Sequence, residues 1–319
     1  MTTHTPLRCA NSVMSAAPTS LARVVLLDTG NYPSFSSFLN ETWTFSGTDW
    51  TNTSATLVNA NGPLPGRTNA MMAFDGYNVV LYGGQGASSA TGVLEDTWVW
   101  NGTTWTQLGG PNPPGPSLSP QPFSRFSAGM AYLAGTGVVM FGGTNLLYQL
   151  LETWVWNGHT QTWSQVTLAN GASPNARVGH VMAASASEVV LFGGQGTNSQ
   201  FNDTWTFNGS TWTQLFPATS PSVRSTACMV YDTVNSIWVM FGGKDEYDYL
   251  VDTWTFNGTT WTKVAHVNGV GPSGRVGAQM AFDATSGTTI LFGGINATTN
   301  YPANDTWSFN GATLVWTQL

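Results

Sequence analysis

The residues with the clearest chemical potential in this 319-residue chain are arginines and carboxylates that recur at regular intervals. Six of the seven arginines open the first strand of a repeated unit: Arg8, Arg67, Arg125, Arg177, Arg224 and Arg275. Six of the sixteen acids open the third strand of the same units: Glu41, Asp96, Glu152, Asp203, Asp252 and Asp305. A guanidinium fork suits both oxygens of a carboxylate. The spacing predicts a ring of structural ion pairs or, if the arginines stay unpaired, an anion-binding ring.

Histidine and cysteine, which catalysis and metal binding often use, are few and scattered. The four histidines are His4, His159, His180 and His266. Their spacing matches no metal-ligand motif, and no nucleophile or phosphate-binding motif is present. Cys9 and Cys228 fall in the first and fifth units, which are not neighbours in a ring of six, so buried free thiols are expected. We predict no catalytic residues and no metal centre from these side chains.

Two loops differ from their counterparts in the other units, and individual function is expected where copies differ. The fifth unit carries an acidic loop at 244–252, whose oxygen ligands either bind Ca²⁺ or are simply solvated. The third unit carries an apolar loop at 145–151, which either folds over the sheet edge or forms a patch for a partner. The predicted binding residues are Leu147, Tyr148, Asp245, Glu246, Tyr247, Asp248 and Tyr249.

The elements that position these residues are strands. A hairpin sequence such as 203–215 recurs six times, with its first Trp at 43, 98, 154, 205, 254 and 307, a period of roughly 50 residues. Alternating aromatics predict half-buried strands, and the Asn-Gly between them predicts a type I′ turn. Upstream, an arginine strand and an apolar strand ending in Gly-Gly complete each unit. The first unit is degenerate, with Leu27-Asp28-Thr29 where Phe-Gly-Gly is expected.

Six units of four strands, labelled a to d, predict an all-β fold: a six-bladed β-propeller in one domain spanning residues 1–319. The blades are predicted at about 8–53, 67–108, 125–167, 177–215, 224–264 and 275–319. Strands a and c start on the same side, here called the arginine rim, which also carries the b–c loops and the links between blades. The a–b and c–d turns form the turn rim. Blades one and six are expected to join by side-chain packing alone, and this seam to open first.

The repeat resembles a known family. The Gly-Gly pair after an apolar strand, the Trp residues of strands c and d, and the arginine that opens the next unit resemble the kelch repeat, and the whole chain resembles bacterial kelch-like proteins. This resemblance implies the fold of the central domain of galactose oxidase, a copper enzyme whose site uses His and Tyr ligands. Kelch propellers serve many roles, so the resemblance implies no single function.

Composition limits the partners. A net charge of −7 and only nine Lys plus Arg argue against nucleic acid. No apolar run approaches the ~20 residues that span a bilayer, and no signal peptide is visible, although one could have been removed. A surface rich in Thr, Ser and Asn favours an extracellular or cell-surface protein. We predict a non-catalytic binding module that recognises a protein or a glycan on the arginine rim. The alternatives are a carbohydrate-active or galactose-oxidase-like enzyme and a structural protein of surface assemblies.

Overall fold

The structure is a computed structural model that describes residue 6 and residues 13–16, 24–28, 40–54, 64–86, 92–110, 120–265 and 269–319. Within these residues, six antiparallel sheets each contain four strands that are consecutive or nearly consecutive in the chain. The strands of blades one to three are β1 (Val13–Ala16), β2 (Val24–Asp28), β3 (Glu41–Phe45), β4 (Trp50–Asn52), β5 (Met71–Phe74), β6 (Val79–Gln85), β7 (Val93–Trp100), β8 (Trp105–Gly109), β9 (Gly129–Leu133), β10 (Gly137–Phe141), β11 (Thr153–Asn157) and β12 (Thr162–Gln165).

The strands of blades four to six are β13 (Val181–Ala184), β14 (Val189–Phe192), β15 (Thr204–Phe207), β16 (Trp212–Leu215), β17 (Cys228–Asp232), β18 (Ile237–Phe241), β19 (Thr253–Phe256), β20 (Trp261–Val264), β21 (Arg275–Val276), β22 (Gln279–Asp283), β23 (Thr288–Phe292), β24 (Ile295–Asn296), β25 (Thr306–Asn310) and β26 (Val315–Gln318). The short strands β21 and β24 pair with each other on the arginine rim of blade six. Among the described residues, no helix is long and apolar enough to cross a bilayer.

The inner strands close the sheets into a ring. Strand a of each blade lies against strand a of both neighbours, and the contact between β1 and β22 joins the last blade to the first. The six inner strands enclose an axial channel of about 510 Å³. The molecule is therefore a six-bladed β-propeller of four-stranded blades, as the repeat predicted.

The same Trp–Thr side-chain hydrogen bond occurs at all six blade interfaces. The indole N–H of the first Trp in strand d donates to the hydroxyl of the Thr that follows the acid in strand c of the preceding blade. The six pairs, at 2.9–3.0 Å, are Trp105–Thr42, Trp163–Thr97, Trp212–Thr153, Trp261–Thr204, Trp316–Thr253 and Trp50–Thr306. The last pair crosses the seam between blades one and six, where the Trp50 ring also packs against Phe292. Fourteen of the fifteen Trp side chains are buried, and every one of the six hydrophobic clusters contains Trp.

The c–d turns differ from the predicted type I′ geometry, and that prediction was wrong. The ladder pairs Phe207 with Trp212, which leaves four residues in the turn instead of two. Asn208 keeps a negative φ, and only Gly209 is left-handed, with φ +100°. The Asn208 side chain instead accepts hydrogen bonds from the N–H groups of the third and fourth turn residues, at 3.0 Å each. Asn acts here as a side-chain cap of the turn.

The Gly-Gly pairs clamp neighbouring blades together on the arginine rim. Gly142 and Gly143 are both left-handed, with φ +69° and +89°. The Gly143 N–H donates to the Arg177 carbonyl of the next blade at 2.9 Å. A Cβ on Gly142 would come within 2.8 Å of the same carbonyl, so both conformation and space require glycine. Equivalent bonds join blades two to three, four to five and five to six.

Candidate functional site

The repeated arginines and acids form ion pairs inside each blade. Arg177 is typical: its guanidinium N–H groups donate to the two Asp203 carboxylate oxygens at 2.6 and 2.8 Å. The same guanidinium donates to the Gly193 carbonyl at 2.8 Å and, through Nε, to the Asn175 carbonyl at 2.9 Å. The other described pairs are Arg67–Asp96, Arg125–Glu152, Arg224–Asp252 and Arg275–Asp305. Arg8 lies outside the described residues, and its expected partner Glu41 accepts from the Trp43 indole at 3.1 Å.

Burial makes these pairs structural elements of the blade. The five described arginine side chains are 0–1% exposed. Burial alone would raise the pKa of Asp203, but the hydrogen bonds and charge of Arg177 and the Trp205 N–H lower it below its ordinary value. The pKa values of Asp252 and Asp305 are lowered in the same way by Arg224 and Arg275. None of the five guanidiniums is therefore free to bind an anion on the rim.

Blade three departs from this pattern at Glu152. Arg125 donates to a single Glu152 oxygen, at 2.9 Å, and not to both. In blades two, four, five and six, the Asp also accepts a hydrogen bond at 2.7 Å from the indole N–H of the Trp two residues later in the sequence. The corresponding Trp154 N–H is buried without a partner. Glu152 thus engages Arg125 but not Trp154, whereas Glu41 of blade one does accept from the corresponding Trp43 N–H.

The histidines and cysteines are dispersed. His159 lies in the c–d turn of blade three on the turn rim, beside Tyr77 with ring centroids 6.2 Å apart. His180 is buried directly before β13 of blade four and Cys228 is buried at the start of β17 of blade five, and His4, His266 and Cys9 lie outside the described residues. In the part of the chain that the structure describes, no three His, Cys, Asp or Glu side chains group as metal ligands would.

The predicted binding residues lie on two b–c loops that share one backbone framework. In blade three, the Asn145 side chain accepts from the N–H groups of Leu147 and Tyr148, at 3.1 Å each. In blade five, Asp245 accepts from the N–H groups of Tyr247 and Asp248, at 2.8 Å each. Each loop is closed at its base by one bridge, between 144 and 149 or between 244 and 249. These Asx turns hold Leu147 and Tyr247 at the same position, and each side chain is 84% exposed.

The acidic loop of blade five uses one of its carboxylates internally. The two backbone N–H groups lower the pKa of Asp245 below its ordinary value. Glu246 and Asp248 are exposed, and Tyr249 is partly buried at the base of the loop. Calcium binding here stays a prediction.

The b–c loop of blade four lies between these two loops and has the same framework. Its bridge joins Gln195 to Gln200, and Gly196 N–H donates to the Ser199 carbonyl at 2.8 Å. Its residue at the position of Leu147 and Tyr247 is Asn198, which is exposed. The three loops therefore present apolar, polar and acidic-aromatic surfaces in that order on one backbone plan.

Comparison with known families agrees with this architecture. A family model described as the Attractin/LZTR1 β-propeller matches residues 138–319, and one described as the KLHDC2/KLHL20/DRC7 Kelch-repeats domain matches residues 29–194. Each match covers more than half of the chain. The chain belongs to the kelch-repeat β-propellers.

A curated relative of this kelch propeller is the tRNA wybutosine-synthesizing protein 4 of Emericella nidulans. The two are 30% identical over 143 residues, which is 42% of this chain and 12% of that protein. The kelch propeller thus spans a small part of the length of that relative.

Sequence reasoning missed much of the apolar surface on the arginine rim. Besides Leu147, Tyr148 and Tyr247, the exposed large hydrophobic residues described there are Phe123, Leu146, Leu151, Phe216, Val251, Val270, Tyr301 and Leu319. The turn rim exposes fewer in the described residues: Tyr77, Tyr132, Val234 and Leu314. Leu151 and Val251 occupy the same loop position, so aligning the six repeats residue by residue would have found them.

Proposed function

We propose that this kelch propeller is a protein-interaction module whose partner docks on the arginine rim across blades three, four and five. The observation that carries the proposal is the pair Leu147 and Tyr247, each 84% exposed at one shared loop position. Large apolar side chains held in solvent are typical of interaction sites. Membership of the kelch propellers supports a protein-binding role in general, and the choice of rim rests on these loops.

The backbone of the blade-three loop supports preorganised binding. Leu146 adopts a left-handed φ of +76°, which is strained for a leucine. Its conformation is maintained by Thr144, whose hydroxyl accepts from the Leu146 N–H at 3.2 Å, and by the Asn145 cap. Strain of this kind concentrates at functional positions. A loop that is already ordered loses less conformational entropy when a partner binds.

The fungal relative does not transfer its named role to this chain. Its name describes tRNA wybutosine synthesis by a protein of which the matched segment is 12%. A propeller segment within a larger protein is consistent with a docking module. A glycan is the other partner class that exposed tyrosines can contact, and it is included as an arm of the experiment below.

Site-specific photocrosslinking tests the proposed surface. A benzophenone amino acid at Leu147 and, separately, at Tyr247 should crosslink one common protein partner in an extract of the source organism. The same group at Thr103, which is exposed on the turn rim, is the control. Once the partner is purified, Leu147→Ala and Tyr247→Ala should each weaken binding by roughly 2 kcal/mol, whereas Asn198→Ala should have little effect.

Two outcomes would overturn the proposal. Crosslinking from Thr103 but not from Leu147 or Tyr247 would place the partner on the turn rim. Binding of the purified propeller to a glycan array, lost in Tyr247→Ala, with no protein crosslinked from either loop, would replace the protein partner with a carbohydrate.

A further inference from the structure

The charge on the proposed surface is concentrated in blade five. Its loop at 244–251 contains one lysine and three acids, a formal charge of −2, whereas the corresponding loops of blades three and four contain no charged residue. Glu246 and Asp248 flank Tyr247, and all three are exposed. Within the described residues neither carboxylate forms an ion pair, since the ion pairs there involve other acids.

The rest of the described surface offers little positive charge to balance these carboxylates. The five described arginines are buried, and each is paired with an acid of its own blade. Lys244 and Lys263 are the exposed cations in the part of the chain that the structure describes, and Lys263 already lies 4.0 Å from Asp252. Among the described residues, Lys244 is thus the one cation near the unpaired carboxylates beside Tyr247.

This arrangement suits a cation supplied from outside. A guanidinium or ammonium group above the Tyr247 ring would gain a cation–π contact while facing carboxylates on both sides. Blade three offers the opposite chemistry, because Leu147, Tyr148 and Leu151 form an uncharged apolar surface. Blade four, between them, presents small polar groups around Asn198 that a peptide backbone can cross.

We propose that the partner presents a short segment with an Arg or Lys side chain for the blade-five loop and a large apolar side chain for the blade-three loop. This inference rests on the proposed function. The electrostatic contribution steers and selects the partner, and the apolar contact supplies most of the affinity. Acidic segments are rejected because they would face unpaired carboxylates.

A random linear peptide library displayed on phage tests the proposal on the full chain. Peptides selected on the wild-type propeller should be enriched in Arg or Lys together with Leu, Phe or Ile, and depleted in Asp and Glu. A selected peptide should bind Glu246→Gln/Asp248→Asn roughly three- to tenfold more weakly, as expected for two exposed charge contacts. Raising the salt concentration should weaken binding to the wild type but have a smaller effect on that variant.

Matched variants separate the two halves of the site. Leu147→Ser should lose the preference for apolar residues but keep the basic one, and Asn198→Ser, at the same position in blade four, should change neither. Enrichment of acidic or uncharged peptides, or no enrichment at all, would overturn the inference. If the crosslinked partner docked on the arginine rim through a segment without basic residues, the proposed function would stand and this inference would fail.

Discussion

At the scale of single residues, the buried ion pair of blade three is less fully satisfied than its counterparts that use Asp. Glu152 engages Arg125 through one oxygen and leaves the Trp154 N–H without a partner. Asp at the same position in blade four engages Arg177 through both oxygens and also accepts from Trp205. A buried N–H without a partner costs about 1–3 kcal/mol.

We therefore predict that Glu152→Asp stabilises the protein by about 1 kcal/mol, because the shorter side chain can accept from both Arg125 and Trp154. The reciprocal change Asp203→Glu in blade four should destabilise it by a similar amount. Urea unfolding midpoints of the two variants and the wild type measure both effects. If both substitutions moved the midpoint in the same direction, the account of Glu152 would be wrong.

The buried ion pairs also make the stability of the fold depend on pH in the acidic range. The pKa values of Asp203, Asp252 and Asp305 are lowered below the ordinary 3.8. A lowered carboxyl pKa means that the contribution to stability is present above about pH 4 and is lost as pH falls through the folded value. Thermal melts should thus show a steep loss of stability below about pH 4. In Asp203→Asn the loss in this range should be shallower.

His180 produces a separate effect at higher pH. Burial, followed by the charge of Arg177, lowers its pKa from 6.5 to about 3, while Asp203 partly opposes the shift. Because the unfolded chain binds this proton more tightly, stability should fall as pH drops below about 6.5, by up to 1.4 kcal/mol per pH unit. The slope between pH 6.5 and 4 should be reduced in His180→Ala. An unchanged slope would show that the imidazole is solvated.

At the scale of strands, one departure from the repeat in blade four is matched by another in blade three. His180 directly precedes strand a of blade four, where the equivalent positions of the other described blades hold alanine: Ala70, Ala128, Ala227 and Ala278. Opposite it, blade three carries Gly129 where the other described blades have larger side chains. A Cβ on Gly129 would lie 2.7 Å from His180 Nε2 and 2.5 Å from Met182 Sδ. The imidazole occupies the space that this glycine leaves.

A double-mutant cycle tests this compensation. Gly129→Ala should destabilise the protein by about 1–3 kcal/mol, because His180 and Met182 must move in a packed core. In a protein that already carries His180→Ala, Gly129→Ala should destabilise the fold less, with a coupling energy between the two substitutions of roughly 1 kcal/mol. The rescue should be partial, since Met182 still has to adjust. Additive effects would mean that the two residues do not share this space.

These strand-level details show where sequence reasoning succeeds and where it stops. The strands, the ring of blades and the within-blade charges follow from residues that recur in every unit, such as the Trp and Thr of strand c. The type I′ prediction failed because the sequence does not reveal that Phe207 is paired with Trp212, which puts all four residues between them in the turn. The pairing of His180 with Gly129 joins different blades, and it depends on distances that no single repeat encodes.

At the scale of the whole molecule, the seam between blades one and six is less exceptional than its position suggests. Among the described strands, no ladder crosses any blade interface, so the lack of a ladder does not distinguish the seam. The Trp50–Thr306 hydrogen bond at 3.0 Å matches the five other Trp–Thr bonds. Blade one differs from the others in its sequence. The other five blades have a Gly-Gly pair at the end of strand b, and blade one has Asp28 and Thr29 there.

We predict that blade one opens first for this reason. At the other Gly-Gly pairs, a Cβ on the first glycine would come within 2.4–2.8 Å of the next arginine carbonyl, at Gly83, Gly142, Gly193 and Gly242. Asp and Thr carry a Cβ and disfavour a left-handed φ, so the sequence of blade one cannot form this clamp without strain. Peptides covering 24–28 and 41–45 should exchange amide hydrogens at least about tenfold faster than their counterparts in blades three to five.

Introducing a Gly-Gly pair into blade one tests this prediction. Asp28→Gly/Thr29→Gly should slow exchange in blade one towards the rate of the other blades, because it allows the interblade clamp to form. Trp50→Phe should speed exchange in blades one and six by removing their Trp–Thr bond, and Trp163→Phe should do the same for blades two and three. Uniform exchange around the ring in the wild type would show that the Trp–Thr bonds, and not the glycine clamps, determine which blade opens.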